Sequence, residues 1–115
     1  MYLFMILMSL INTAIAVNPV DIVGMWADIG ACKTTVLSFE STGFVGYYEW
    51  RGGRYAPQGI QSWWVDGNSI YIGQKSPEVL VAGIVVTGLT PILMSGSMIL
   101  SDNLVTPFIW ERCVF

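Results

Sequence analysis

Gly24-Met25-Trp26-Ala27-Asp28-Ile29-Gly30-Ala31-Cys32 and, at the far end of the chain, Trp110-Glu111-Arg112-Cys113 decide how the fold is read. The first stretch reads as the opening strand of a small β-barrel and the second as its closing strand. Between them Gly, Asn, Asp and Ser punctuate the chain at short intervals. The intervening segments are rich in Val, Ile, Tyr, Trp and Thr, the pattern of many short strands. Beyond Ala16 no stretch sustains the apolar period of an amphipathic helix.

Working outward, the strands are expected at Ile22 to Asp28, Thr34 to Glu40, Phe44 to Trp50, part of Gly59 to Val65, Ser69 to Gly73, Val79 to Leu89, Ser97 to Ser101 and Thr106 to Val114. Thr35, Leu37 and Phe39 share one face of the second. On the third, Phe44, Gly46, Tyr48 and Trp50 alternate with Val45, Tyr47 and Glu49, and either set can face inward. Arg51-Gly52-Gly53 and Asp66-Gly67 are hairpin signals, because glycine reaches positive φ without a Cβ clash. Gln74 to Pro77 is expected to turn, Tyr55 to Gly59 and Thr90 to Gly96 to be irregular, and Pro19 to prevent an early helix. The fold class is therefore all-β. About eight antiparallel strands in up-and-down order close into a barrel that side chains can fill, and closure removes exposed sheet edges.

Met1 to Ala16 carries no ionisable side chain and holds an apolar run from Tyr2 to Met8. Ala14-x-Ala16 matches the small-residue requirement of signal peptidase, so residues 1–16 read as a signal peptide and 17–115 as one domain, periplasmic or extracellular. The alternative is an uncleaved anchor, but the apolar run falls short of the ~20 residues a span needs. Val79 to Ser101 is also free of charge and raises a second possible tether. Gly83, Gly88, Pro91 and Gly96 interrupt it and no basic residues flank it, so two strands are the expected outcome. The unbroken apolar character of the first predicts cover on both of its faces.

The chain has five basic and eight acidic residues, a formal charge of −3 and no histidine. No basic run exists to bind nucleic acid. Without histidine the commonest general base and metal ligand are missing, and no acidic pair is marked for catalysis, so neither an enzyme, a metal site nor a cofactor is expected. Cys32 and Cys113 are expected to pair in an exported domain, the alternative being two separate thiols. A loop of that size is worth ~4–5 kcal/mol in the chain-entropy model.

Gly24-Met25-Trp26 with Arg112 resembles the calycin group of barrels, which includes the lipocalins. In that group a Gly-x-Trp on the first strand is packed beneath a basic residue from the last. An indole plugging a barrel end under a partly wet guanidinium is physically sensible in its own right. More closely, the chain is similar to small exported lipocalin-like bacterial proteins. The residues that carry this are Gly24-x-Trp26, Cys32, Phe39-x-x-x-Gly43, Trp63-Trp64-Val65-Asp66-Gly67 and Arg112-Cys113. The middle lipocalin motif is absent. The resemblance implies structural roles for Trp26, Trp63 and Arg112.

Binding character concentrates in Tyr48, Trp50, Arg51, Arg54 and Tyr55 around the Gly52-Gly53 tip, since Tyr, Trp and Arg anchor interfaces. Trp63 and Trp64 point to opposite faces; with Trp63 in the core, Trp64 faces outward and becomes a further candidate. The expected function is binding, to a small apolar molecule or to another envelope protein. The alternative is a membrane-tethered interaction protein, with membrane contact not the favoured mode.

Overall fold

A computed structural model describes residues 15–114, so the signal peptide read over 1–16 lies outside the described residues except for Ile15 and Ala16. The chain is all-β. A short helix α1 (Pro19–Ile22) precedes β1 (Gly24–Asp28), β2 (Thr35–Phe39), β3 (Phe44–Arg51), β4 (Arg54–Asp66), β5 (Ser69–Lys75), β6 (Glu78–Leu89), β7 (Leu93–Leu100) and β8 (Val105–Arg112). Each strand pairs antiparallel with the next, and β8 returns to β1 to close the barrel.

Alternation decides what fills it. Phe39, Ile70, Ile84, Val86 and Met94 are buried inside. Trp63 packs edge-on against Phe39 with centroids 5.2 Å apart. Its indole N–H donates to the Glu40 carbonyl at 2.9 Å, so its one polar atom is satisfied.

One end of the barrel is closed by the chain's own lead-in. Asn18 caps α1 by accepting from the Val20 amide, and Pro19 starts the helix. Ile22 is fully buried and its carbonyl accepts the Trp26 indole N–H at 2.8 Å. The Arg112 guanidinium lies 4.3 Å from the Trp26 ring. It donates to the carbonyls of Val23 at 2.6 Å, Asp21 at 2.7 Å and Pro91 at 2.7 Å. A Cβ on Gly24 would collide with Arg112 Nη1, and Gly24 has φ +135°, so glycine is needed there twice over. The Gly-x-Trp spacing thus follows from one guanidinium needing room above one indole.

The β1–β8 seam is short, pairing Trp26 with Arg112, Ala27 with Glu111 and Asp28 with Trp110. Two ties reinforce it from outside. Cys32 is bonded to Cys113, and Glu111 accepts from the Gly30 amide at 2.5 Å. The loop after β1 thereby folds back over the outer wall, where Ala27, Val36 and Cys113 form a second buried cluster with Tyr48 and Tyr55 packed on it.

Several boundaries differ from expectation. Ile22 belongs to α1 and not to the first strand, because Pro19 at the first helical position lacks only an amide that needs no partner. The segment Tyr55 to Gly59 is part of β4, whose early half pairs with β3 through a register shift at Tyr47/Tyr48 that accommodates Pro57. β7 begins at Leu93, leaving only Thr90 to Ile92 as a turn, fixed by the Thr90 hydroxyl accepting from the Leu93 amide at 3.0 Å. β5 runs on to Lys75, and β8 stops at Arg112. The uncharged stretch from Val79 forms strands, and no helix among the described residues is long and apolar enough to cross a membrane. Cover on both faces of β6 is not found: Val79, Leu80 and Val81 are exposed.

Trp26→Ala is expected to cost ~3–5 kcal/mol, as for a large buried aromatic. Arg112→Lys keeps the charge but cannot reach three carbonyls at once, and is expected to cost about 2 kcal/mol. Chemical denaturation of both variants checks this; an Arg112→Lys protein as stable as the parent would show that the fork is dispensable.

Candidate functional site: the open mouth of the barrel

Strand pairing lapses at the end opposite α1. The β1–β8 pairs stop at Asp28 and Trp110, so Val105 to Ile109 pair only with β7. The β4–β5 pairs stop at Ser62 and Gly73, so Arg54 to Gln61 pair only with β3. The strands leave this end as separate ribbons, and the interior opens between them.

Two concavities lie there. One, of about 320 Å³, sits beside the seam between Trp26, Leu37, Tyr47, Met98, Phe108 and Trp110. The other, of about 300 Å³, lies between Leu37, Val45, Tyr47, Ile72, Ala82 and Met98. They share Leu37, Tyr47 and Met98. Leu37 and Tyr47 are direct cross-strand partners and line both, whereas Trp26, opposite Leu37, lines only the first. Asp28, Thr35, Thr106, Gln61 and the Tyr47 hydroxyl bring polar groups to an otherwise mainly apolar lining. Such a lining can hold an apolar group and orient it weakly; it offers no nucleophile–base pair. Among the described residues no group of three or more His, Cys, Asp or Glu is placed to hold a metal ion.

The residues singled out from sequence lie elsewhere. Val45 and Tyr47 face inward, so Tyr48 and Trp50 face outward. Trp50 meets Tyr55 edge-on at 4.9 Å, and Lys33 Nζ lies 5.8 Å from the Trp50 ring. The Tyr55 hydroxyl donates to the Cys32 carbonyl at 2.5 Å. Arg51 pairs with Glu49 at 2.7 Å, an exposed contact worth little in water. Tyr48, Trp50 and Tyr55 are thus gathered on the outer wall around the disulfide, with Arg51 and Arg54 exposed at the tip. Trp64 stands apart on the outer face of β4. It packs on Tyr71 at 5.9 Å, with Lys75 Nζ 6.0 Å from its ring.

The mouth residues Leu37, Tyr47, Met98 and Phe108 were not singled out from sequence. Leu37 was legible, being on the same face as Phe39. Tyr47 was not, because the set Phe44, Gly46, Tyr48 and Trp50 is the more aromatic of the two alternating sets. It faces outward since the disulfide loop supplies a second apolar surface there.

No family model matches this chain, and no curated protein or solved structure matches it.

Burial raises the pKa of Tyr55 above its ordinary value of about 10. The folded state therefore favours the neutral phenol. Its contribution is complete below the unfolded value and is lost as pH rises through the higher folded value. Tyr55→Phe is expected to cost ~1 kcal/mol near neutrality, for the lost hydrogen bond, and to flatten the alkaline fall in stability. Unfolding curves taken from neutral pH to above pH ~10 check this; an unchanged alkaline slope in Tyr55→Phe would contradict it.

Proposed function

We propose that this is an exported, non-enzymatic binding protein of lipocalin-like form that takes a small apolar molecule into the open mouth of its barrel. The observation that carries the reading is the pair of adjoining apolar concavities sharing Leu37, Tyr47 and Met98. Ligand sites are concave, mainly apolar and of ~300–1,000 Å³. At about 30 Å³ per water-sized group, either space holds roughly ten non-hydrogen atoms. The Trp26–Arg112 arrangement, with glycine at position 24, supports the lipocalin-like assignment. The Cys32–Cys113 bond supports export, since such bonds persist in oxidising compartments.

The hairpin reading, in which a protein partner meets Arg51 to Arg54, is less favoured. Trp50 and Tyr55 are engaged with each other and, through Tyr55, with the disulfide loop. They are already committed within the chain, so fewer anchors are left for a partner.

Uptake of an apolar fluorescent probe such as N-phenylnaphthylamine tests the proposal. Met98 is only partly buried, so Met98→Trp fills the shared space at a cost of no more than ~1–3 kcal/mol. Uptake by the parent and a loss of about tenfold in Met98→Trp are expected, with the double variant Arg51→Glu, Arg54→Glu unaffected. Equal uptake by the parent and Met98→Trp, with both folded, would rule the mouth out.

A further inference from the structure

One charged side chain at the mouth sits on the interior face of the barrel. Along β1, Trp26 is in the core and Ala27 belongs to the outer cluster, so Asp28 turns back to the interior face. Its cross-strand partner Trp110 is buried on that face as well. Asp28 is exposed at the opening and lines the first concavity, as do Thr35 and Thr106. Among the described residues, none of Asp28, Thr35 and Thr106 makes a side-chain hydrogen bond or an ion pair.

No basic residue lines either concavity among the described residues. Lys33 and Lys75 lie beside the outward-facing rings of Trp50 and Trp64, and Arg51 is paired with Glu49. Glu111, the other acidic residue of the seam, is engaged outside with the Gly30 amide. Over the open end as a whole Lys33, Arg51, Arg54 and Lys75 balance Asp28, Glu49, Glu78 and Asp102. The sign of charge that the cavity prefers is therefore set locally, by one carboxylate.

The two concavities also differ in lining. Tyr47, Phe108 and Trp110 make the one beside Asp28 aromatic, whereas Val45, Ile72 and Leu100 make the other aliphatic. Aromatic groups are apolar yet attract a neighbouring cation. An ammonium group carries N–H donors and no acceptor, and a carboxylate flanked by two hydroxyls offers it acceptors.

We infer that the ligand of the mouth is a cationic amphiphile, an alkyl or arylalkyl ammonium. Its charged head sits at Asp28, and its chain runs past Leu37, Tyr47 and Met98 into the aliphatic concavity. This rests on the binding reading above and adds to it the sign of the ligand's charge and the ligand's orientation.

Three probes of one chain length test it: octylammonium, octanol and octanoate. Each is titrated calorimetrically at neutral pH into the exported protein, with its N-terminus established by intact mass. Because Asp28 is exposed, octylammonium is expected to bind about fivefold more tightly than octanol at low salt, the scale of an exposed ion pair, and the gain should shrink at high salt. Octanoate should bind more weakly than octanol. Asp28→Asn keeps the shape of the side chain and the backbone carbonyl that accepts from Ala31. It should bring octylammonium level with octanol and leave octanol unchanged. If Asp28→Asn does not fold, Thr106→Lys takes its place, since a cation at the same margin should also remove the preference. In NMR, octylammonium should shift the signals of Asp28 and Thr106 more than octanol does.

Equal binding of the three probes, an unchanged preference in the folded variant, or ammonium-induced shifts at the outer wall around Trp50 would overturn the inference while leaving an apolar cavity in place. Binding of none of the three by the parent would remove the cavity and the inference together. Met98→Trp should weaken all three without changing their order, so loss of the cavity and loss of charge selection give different results.

Discussion

One guanidinium holds three pieces of backbone in place. Arg112 reaches the carbonyls of Asp21 and Val23 on one side and of Pro91 on the other, while its face rests on Trp26. The last strand, the lead-in to the first and the β6–β7 turn are thereby joined at one point. Gly24 leaves the space and Ile22 fills what remains of the barrel end. Because the seam pairs so few residues, this cluster and the Cys32–Cys113 bond carry much of the closure between them.

The opposite end is open for a reason of length. β4 has thirteen residues between β3 of eight and β5 of seven, and β6 has twelve between β5 and β7, the latter of eight. Short strands cannot flank long ones over their whole extent. The excess of β4 and β6 projects as ribbons paired on one side, and the interior cross-strand partners Leu37 and Tyr47 are left beside the gap. The cavity is a consequence of unequal strands in a barrel whose far end is plugged.

The strand count, the barrel and the Trp26–Arg112 pair were legible in the sequence, because alternation, glycine turns and one spaced motif report on local geometry. Strand ends were less so. Pro57 and Gly59 look like loop residues, yet a register shift lets β4 run through them. Pro19 looks like a helix breaker and in fact starts a helix. The binding surface was harder still. Tyr48, Trp50 and Tyr55 attract attention as aromatics around a basic tip, and they turn out to pack on a wall created by the disulfide loop. Leu37 and Met98 carry no chemical signal of their own. They matter because strands distant in sequence stop pairing beside them, which no local pattern encodes.

The most direct measurement is methyl NMR of the protein titrated with an apolar probe. Progressive shifts at Leu37, Val45, Ile72 and Met98, with Ile22 and Val86 at the plugged end unmoved, are the predicted result. Shifts confined to the outer wall around Val36 and Ala27, or no saturable shift at the mouth, would contradict a barrel closed at one end and open to ligand at the other.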